Sequence, residues 1–223
     1  KIGVWCGISF TVLFGIAMLL AGFIPPPGPG LDPLQVAAIY QGNAGPIRLG
    51  MLIGLMGCAM MPAFAAAISA QILRMQGISR MTVLLQVSAG AAGAVVLMVP
   101  VMLFAIASFR PERDPALTAL VHDAAWLFFI APFSMAFIQN MAIAMGTLLD
   151  RGAQPVFPRW IGFFNIWIAL LFLPGGLAFF LKSGPFAWNG LLSFWVAAGA
   201  FFVWFIVMAI YMFKAIAQTP QKA

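Results

Sequence analysis

His122 and Asp123 are adjacent, and the chain has no other histidine. An imidazole beside a carboxylate can relay protons near neutral pH or hold a polar group of a ligand. Just upstream lie Arg110, Glu112, Arg113 and Asp114, so one short stretch gathers both signs of charge in a chain with only 7% charged residues. Asp114-Pro115 reads as a cap followed by the first helical residue. His122 and Asp123 then fall about two turns into that helix, in or just below the headgroup zone of a membrane. An ionisable group at such depth needs a partner, and Arg48, Arg110 and Arg113 are the cations expected at the same face. In one reading His122 and Asp123 converge on a cavity mouth, where they act on a hydrophobic substrate or, with the three arginines, contact a ligand. In the other they belong to a structural ion-pair region that ties helix ends together. Residues i and i+1 diverge on a helix, which argues for the second.

Other candidate chemistry is sparse. Gln139 and Asn140 form the most interior polar pair and are read either as the lining of a ligand cavity or as hydrogen-bonding glue between helices. Met56, Cys58, Met60, Met61, Met141 and Met145 suggest a thioether copper site, but methionine is ordinary filler in apolar packing. A single histidine excludes bis-histidine haem and multi-histidine iron clusters, and the spacing of His122, Asp123, Glu112 and Asp114 demands no metal. Neither a metal nor a cofactor is expected. No phosphate-binding loop, G-x-S-x-G elbow, H-E-x-x-H pair or nucleotide fingerprint occurs. No charged residue lies at the centre of an apolar run, which argues against an ion-coupled pump.

The elements that must position these residues are membrane helices. The chain is 64% hydrophobic with a mean hydropathy of +1.06, whereas soluble domains carry roughly 25% charged residues. A bilayer crossing needs about 20 apolar residues. Six runs meet that length: 4–24, 47–73, 81–109, 117–149, 160–181 and 191–213. The first is too long for a cleavable leader and is read as a span. The expected fold is therefore a single all-α domain over residues 1–223, a polytopic bundle of six transmembrane helices.

The net charge of +6 would suggest nucleic acid in a soluble protein. Here it follows the positive-inside bias, and no nucleic-acid partner is expected. With a cytoplasmic N-terminus, Lys1, Arg74, Arg80, Arg151, Arg159, Lys214 and Lys222 lie inside, and Arg48, Arg110, Arg113 and Lys182 lie outside. Both termini are thus expected in the cytoplasm, and the compact loops suggest a bacterial inner membrane. Cys6 and Cys58 fall at depths roughly 10 Å apart and should not bridge.

Within this frame, Pro25-Pro26-Pro27-Gly28-Pro29-Gly30 should leave the membrane as an extended strut. Asp32-Pro33 should then start a short helix over residues 34–41, with Val36, Ile39 and Tyr40 on one face and Asn43-Ala44-Gly45-Pro46 as its stop. This helix is expected to rest on headgroups, the alternative being a lid over a site. Pro62, Pro100, Pro132 and Pro174 should kink four spans. Gly50, Gly54 and Gly57, and the run Ala89-Gly90-Ala91-Ala92-Gly93, mark faces where helices approach closely.

Three functions are compatible with these features. Lacking a catalytic constellation, the chain is expected to be a non-catalytic subunit or scaffold of a larger membrane assembly, with lipids and other integral membrane subunits as partners. The alternative is a carrier or binding protein for a small apolar molecule, in a cavity lined by Phe, Met, Gln139 and Asn140. The third is an enzyme for a hydrophobic substrate that uses His122 and Asp123.

Overall fold

The computed structural model describes residues 1–218. Lys222, counted above among the inner charges, lies outside them. All regular structure among the described residues is helical, and six helical stretches are long and apolar enough to cross a membrane. The first is α1 (Ile2–Leu20). The second joins α2 (Pro33–Cys58) to α3 (Met61–Ile72), and the third is α4 (Arg80–Phe109). The fourth joins α5 (Pro115–Ile130) to α6 (Ser134–Leu149). The fifth runs from α7 (Arg159–Phe172) into a 3₁₀ turn (Leu173–Phe179). The sixth opens with a π-helical turn (Leu191–Val196) and continues as α8 (Ala197–Ala217).

Contacts between distant segments fix the up-and-down topology. Trp5 packs edge-on against Phe213, and Arg74 donates to the Ala215 carbonyl. Asp150 accepts the amide of Gln76, so the 73–79 and 150–158 loops lie side by side with the described chain ends on one face, called here the terminal face. On the opposite, loop face, Trp188 donates through Nε1 to the Pro27 carbonyl (2.8 Å). Large apolar side chains such as Trp5, Leu52, Phe163 and Trp167 stay exposed around the circumference, as lipid-facing residues should.

Local chemistry explains the helix ends. Asp32 and Gln35 form a reciprocal capping box at the start of α2, with Pro33 as the first helical residue. Asp114 accepts the Ala116 amide at 2.7 Å, and Ser79 caps α4 through Met81. Gly22, at φ +68°, lets the chain turn back on α1, with Phe23 N–H reaching the Met18 carbonyl.

Two sequence expectations change here. The short helix in the first loop forms, but it does not stop at Pro46. It continues into the second span across a kink at Asn43 (φ −128°, ψ 22°). Proline clashes with the carbonyl four residues earlier, here that of Gly42, and the bend falls at the next residue. The face of this helix that carries Val36, Ala37 and Tyr40 is buried within the bundle rather than laid on headgroups. The four prolines also differ. Pro62, Pro132 and Pro174 sit where a span breaks, whereas α4 runs through Pro100 uninterrupted.

The small-residue faces dock within the chain. A Cβ on Gly50 would lie 2.6 Å from the Ala17 carbonyl oxygen, so α1 and α2 touch backbone to backbone. Gly90 likewise lies against Ala65 of α3 and Gln139 of α6. Gly50→Val should lower stability by about 1–3 kcal/mol through overpacking. Gly45→Ala, with open space around it, should leave the melting temperature of the detergent-solubilised protein nearly unchanged. Equal melting of the two variants would refute the close contact.

Candidate functional site

His122 is sealed beneath the loop face. Its ring is 1% exposed, and Nδ1 shares a 2.8 Å hydrogen bond with the hydroxyl of Tyr40, which is 0% exposed. The rings of Tyr40, Trp126 and Trp188 pack edge-on around it. Phe23 and Phe104 complete the cluster by packing on Trp126. The first-loop helix is therefore pinned to α5 by a polar bond inside an aromatic plug. His122 Nε2 and Trp126 Nε1 have no hydrogen-bond partner among the described residues. The sequence marks Tyr40 only as part of the apolar face of a helix expected on the headgroups, and carries no signal of its contact with His122.

Asp123 turns away from the histidine. It is exposed and shares a small pocket of about 90 Å³ with Lys182, Pro29 and Trp188. Among the described residues it pairs with none of the three expected arginines. Arg48 instead caps α4, donating through Nε and Nη2 to the Ser108 carbonyl (2.9 and 2.6 Å) and through Nη2 to that of Phe109 (3.1 Å). A guanidinium suits those terminal carbonyls, which have no partner within the helix. Arg113 reaches the Ile106 carbonyl at 3.4 Å, and Arg110 is exposed at the C-cap of the same helix. His122 and Asp123 therefore do not converge. No three of His, Cys, Asp and Glu come together among the described residues as a metal ion would require.

Gln139 and Asn140 have a different setting. Both line a cavity of about 430 Å³ enclosed by α1, α4, the α5–α6 break and the start of the sixth span. Phe14, Phe129, Phe133, Phe194, Phe201 and Phe205 supply aromatic walls, with Met18, Met61 and Met135 between them. The roof is Trp126 of the plug, which packs on the lining rings of Phe129 and Phe194. At the floor, Trp204 donates to Asn165 Oδ1 at 2.9 Å and so ties α8 to α7. Among the described residues, no ionisable side chain lines the cavity. Asn140 gives its Nδ2 to the Ala136 carbonyl (2.8 Å), and its Oδ1 is buried without a partner.

These features define a polytopic helical membrane protein whose bundle holds a sizeable apolar cavity with an amide pair in its wall. The chain matches no protein-family model, no curated protein and no solved structure. The function is therefore argued from the site alone.

Tyr40→Phe keeps the ring and removes the hydroxyl. It should cost about 1 kcal/mol, the net worth of one hydrogen bond, and speed amide exchange over residues 33–43. Asp123→Asn, at an exposed carboxylate, should change neither. Unchanged exchange in Tyr40→Phe would mean that the bond does not hold the first-loop helix.

Proposed function

We propose that the chain is a carrier or binding protein that holds a small, uncharged, largely apolar molecule in its membrane-embedded cavity. The observation that carries this reading is the cavity itself. Its volume of about 430 Å³ falls in the range of ligand sites, roughly 300–1,000 Å³. Its wall of aromatic and methionine side chains with a few polar groups is the composition such sites share. His122 and Asp123 diverge, and neither lines this cavity, which weighs against an enzyme built on that pair. The arginines are engaged with helix ends or exposed, so a charged ligand has no counter-ion waiting at the wall.

Localisation is part of the same proposal. Among the described residues, the terminal face carries six Lys and Arg against one acid, and the loop face four against four. The positive-inside bias then puts both termini in the cytoplasm, and a bacterial cytoplasmic membrane suits the compact loops.

The test is purification from the host membrane into nanodiscs, followed by native mass spectrometry. A lone chain with a stoichiometric neutral small molecule is the expected result. Gly93→Leu, which adds an isobutyl group to the cavity wall at a position with only Met135 near, should abolish that adduct without lowering the melting temperature. An empty cavity in a chain that arrives with stoichiometric protein partners would replace this reading with that of a membrane subunit.

A further inference from the structure

Of the buried polar side chains that line the cavity, one has accessible hydrogen-bonding capacity to spare. Ser193 commits its hydroxyl to the carbonyls of Pro174 and Phe186, both at 2.9 Å, and Trp204 commits its N–H to Asn165. Asn140 is bonded through Nδ2 and sealed at Oδ1. Gln139 is 9% exposed and makes no hydrogen bond to any described residue, yet its amide is not sealed in the packing. Its amide therefore faces the cavity with donors and an acceptor unused. Leaving such a group unpaired in an apolar setting is costly. The seat is also made for it. A Cβ on Gly90 would lie 2.7 Å from Gln139 Nε2 and 2.6 Å from the Ala65 Cβ, so only the glycine leaves room for the amide against α4.

We infer that the cavity's ligand is a neutral amphiphile whose hydroxyl docks on the Gln139 amide and whose apolar body fills the aromatic chamber, reached from the lipid side. This rests on the binding-protein reading above and adds the ligand's chemistry. A hydroxyl both donates and accepts, matching the carbonyl and the NH₂ of the amide together. A hydrocarbon leaves the amide unpaired. A carboxylate would bury a charge in a wall without a cation, which is far more costly. The path of access follows from exposure. Trp126 closes the roof at 0% exposed, whereas Phe128 and Trp195 on the cavity rim are 50% and 44% exposed. These rim residues share the apolar circumference with exposed Ile138 and Val203, so the opening faces acyl chains.

The test uses three probes with one tail: 1-dodecanol, n-dodecane and dodecanoate. Each is titrated into the full chain in detergent, stripped of native ligand, and followed by native mass spectrometry. The wild type should take dodecanol about tenfold more tightly than dodecane, the worth of one net hydrogen bond, and dodecanoate no better than dodecane. Gln139→Met, of similar length and volume, should bind the alkane unchanged and lose the preference for the alcohol. Equal wild-type affinity for alcohol and alkane overturns the headgroup inference and leaves the cavity reading standing, and that ratio needs no variant to fold. Preference for dodecanoate, or an alcohol preference that survives Gln139→Met, overturns it as well. No binding of any probe, with no native adduct, overturns both readings.

Discussion

In hydrocarbon there is no water to satisfy a backbone amide or carbonyl, so each must find its partner within the protein. Much of the structure follows from that constraint. Every span is helical, and several helix ends are answered by a specific side chain. Arg48 covers the last carbonyls of α4, and Arg74 reaches the Ala215 carbonyl near the end of α8. On the terminal face Asp150 collects the amides of Gln76, Gly152 and Val156, joining two loops through one carboxylate. Charge is scarce in this chain, and several of its charges serve helix and loop ends.

The same constraint shapes the cavity. An unbroken bundle of apolar helices packs side chain into side chain and leaves little room. Here the irregular segments gather around one volume. Pro132 separates α5 from α6, the 3₁₀ turn carries Pro174, and the π-helical turn opens the sixth span. Pro132, Phe133, Phe172, Ser193, Phe194 and Trp195, all at or beside these breaks, line the chamber. Each break displaces backbone from ideal helical packing, and the aromatic rings there fill the gap incompletely. The loop face closes over it with the Tyr40–His122 bond and the rings around Trp126.

Polar groups inside the bundle fall into two kinds. Ser69 and Gln86 bond to each other between α3 and α4, and Asn165 bonds to Trp204 between α7 and α8. These hold helices together, and the Gln86 Nε2 that they leave unpaired is sealed in the packing. Gln139 differs because Gly90 gives it space and no neighbour takes its bonds. What matters is how each amide is committed, since residue type and depth in the membrane are shared by both kinds.

The sequence by itself determined the class, the six spans and the local punctuation. Long apolar runs admit only membrane helices. The Asp32-Pro33 and Asp114-Pro115 caps act over three residues and form as their local chemistry dictates. Gly50 and Gly54 announce close packing because nothing else allows helix backbones to touch. Only the tertiary structure decided that Tyr40 meets His122, that Asp123 turns out toward Lys182, and that Gln139 is left free beside a cavity. In a soluble helix the apolar stripe tells which side faces in. In lipid both sides are apolar, so the rotation of each helix about its own axis leaves little trace in the pattern. Tyr40 and His122 are 82 residues apart, and whether they meet depends on that rotation in two helices at once.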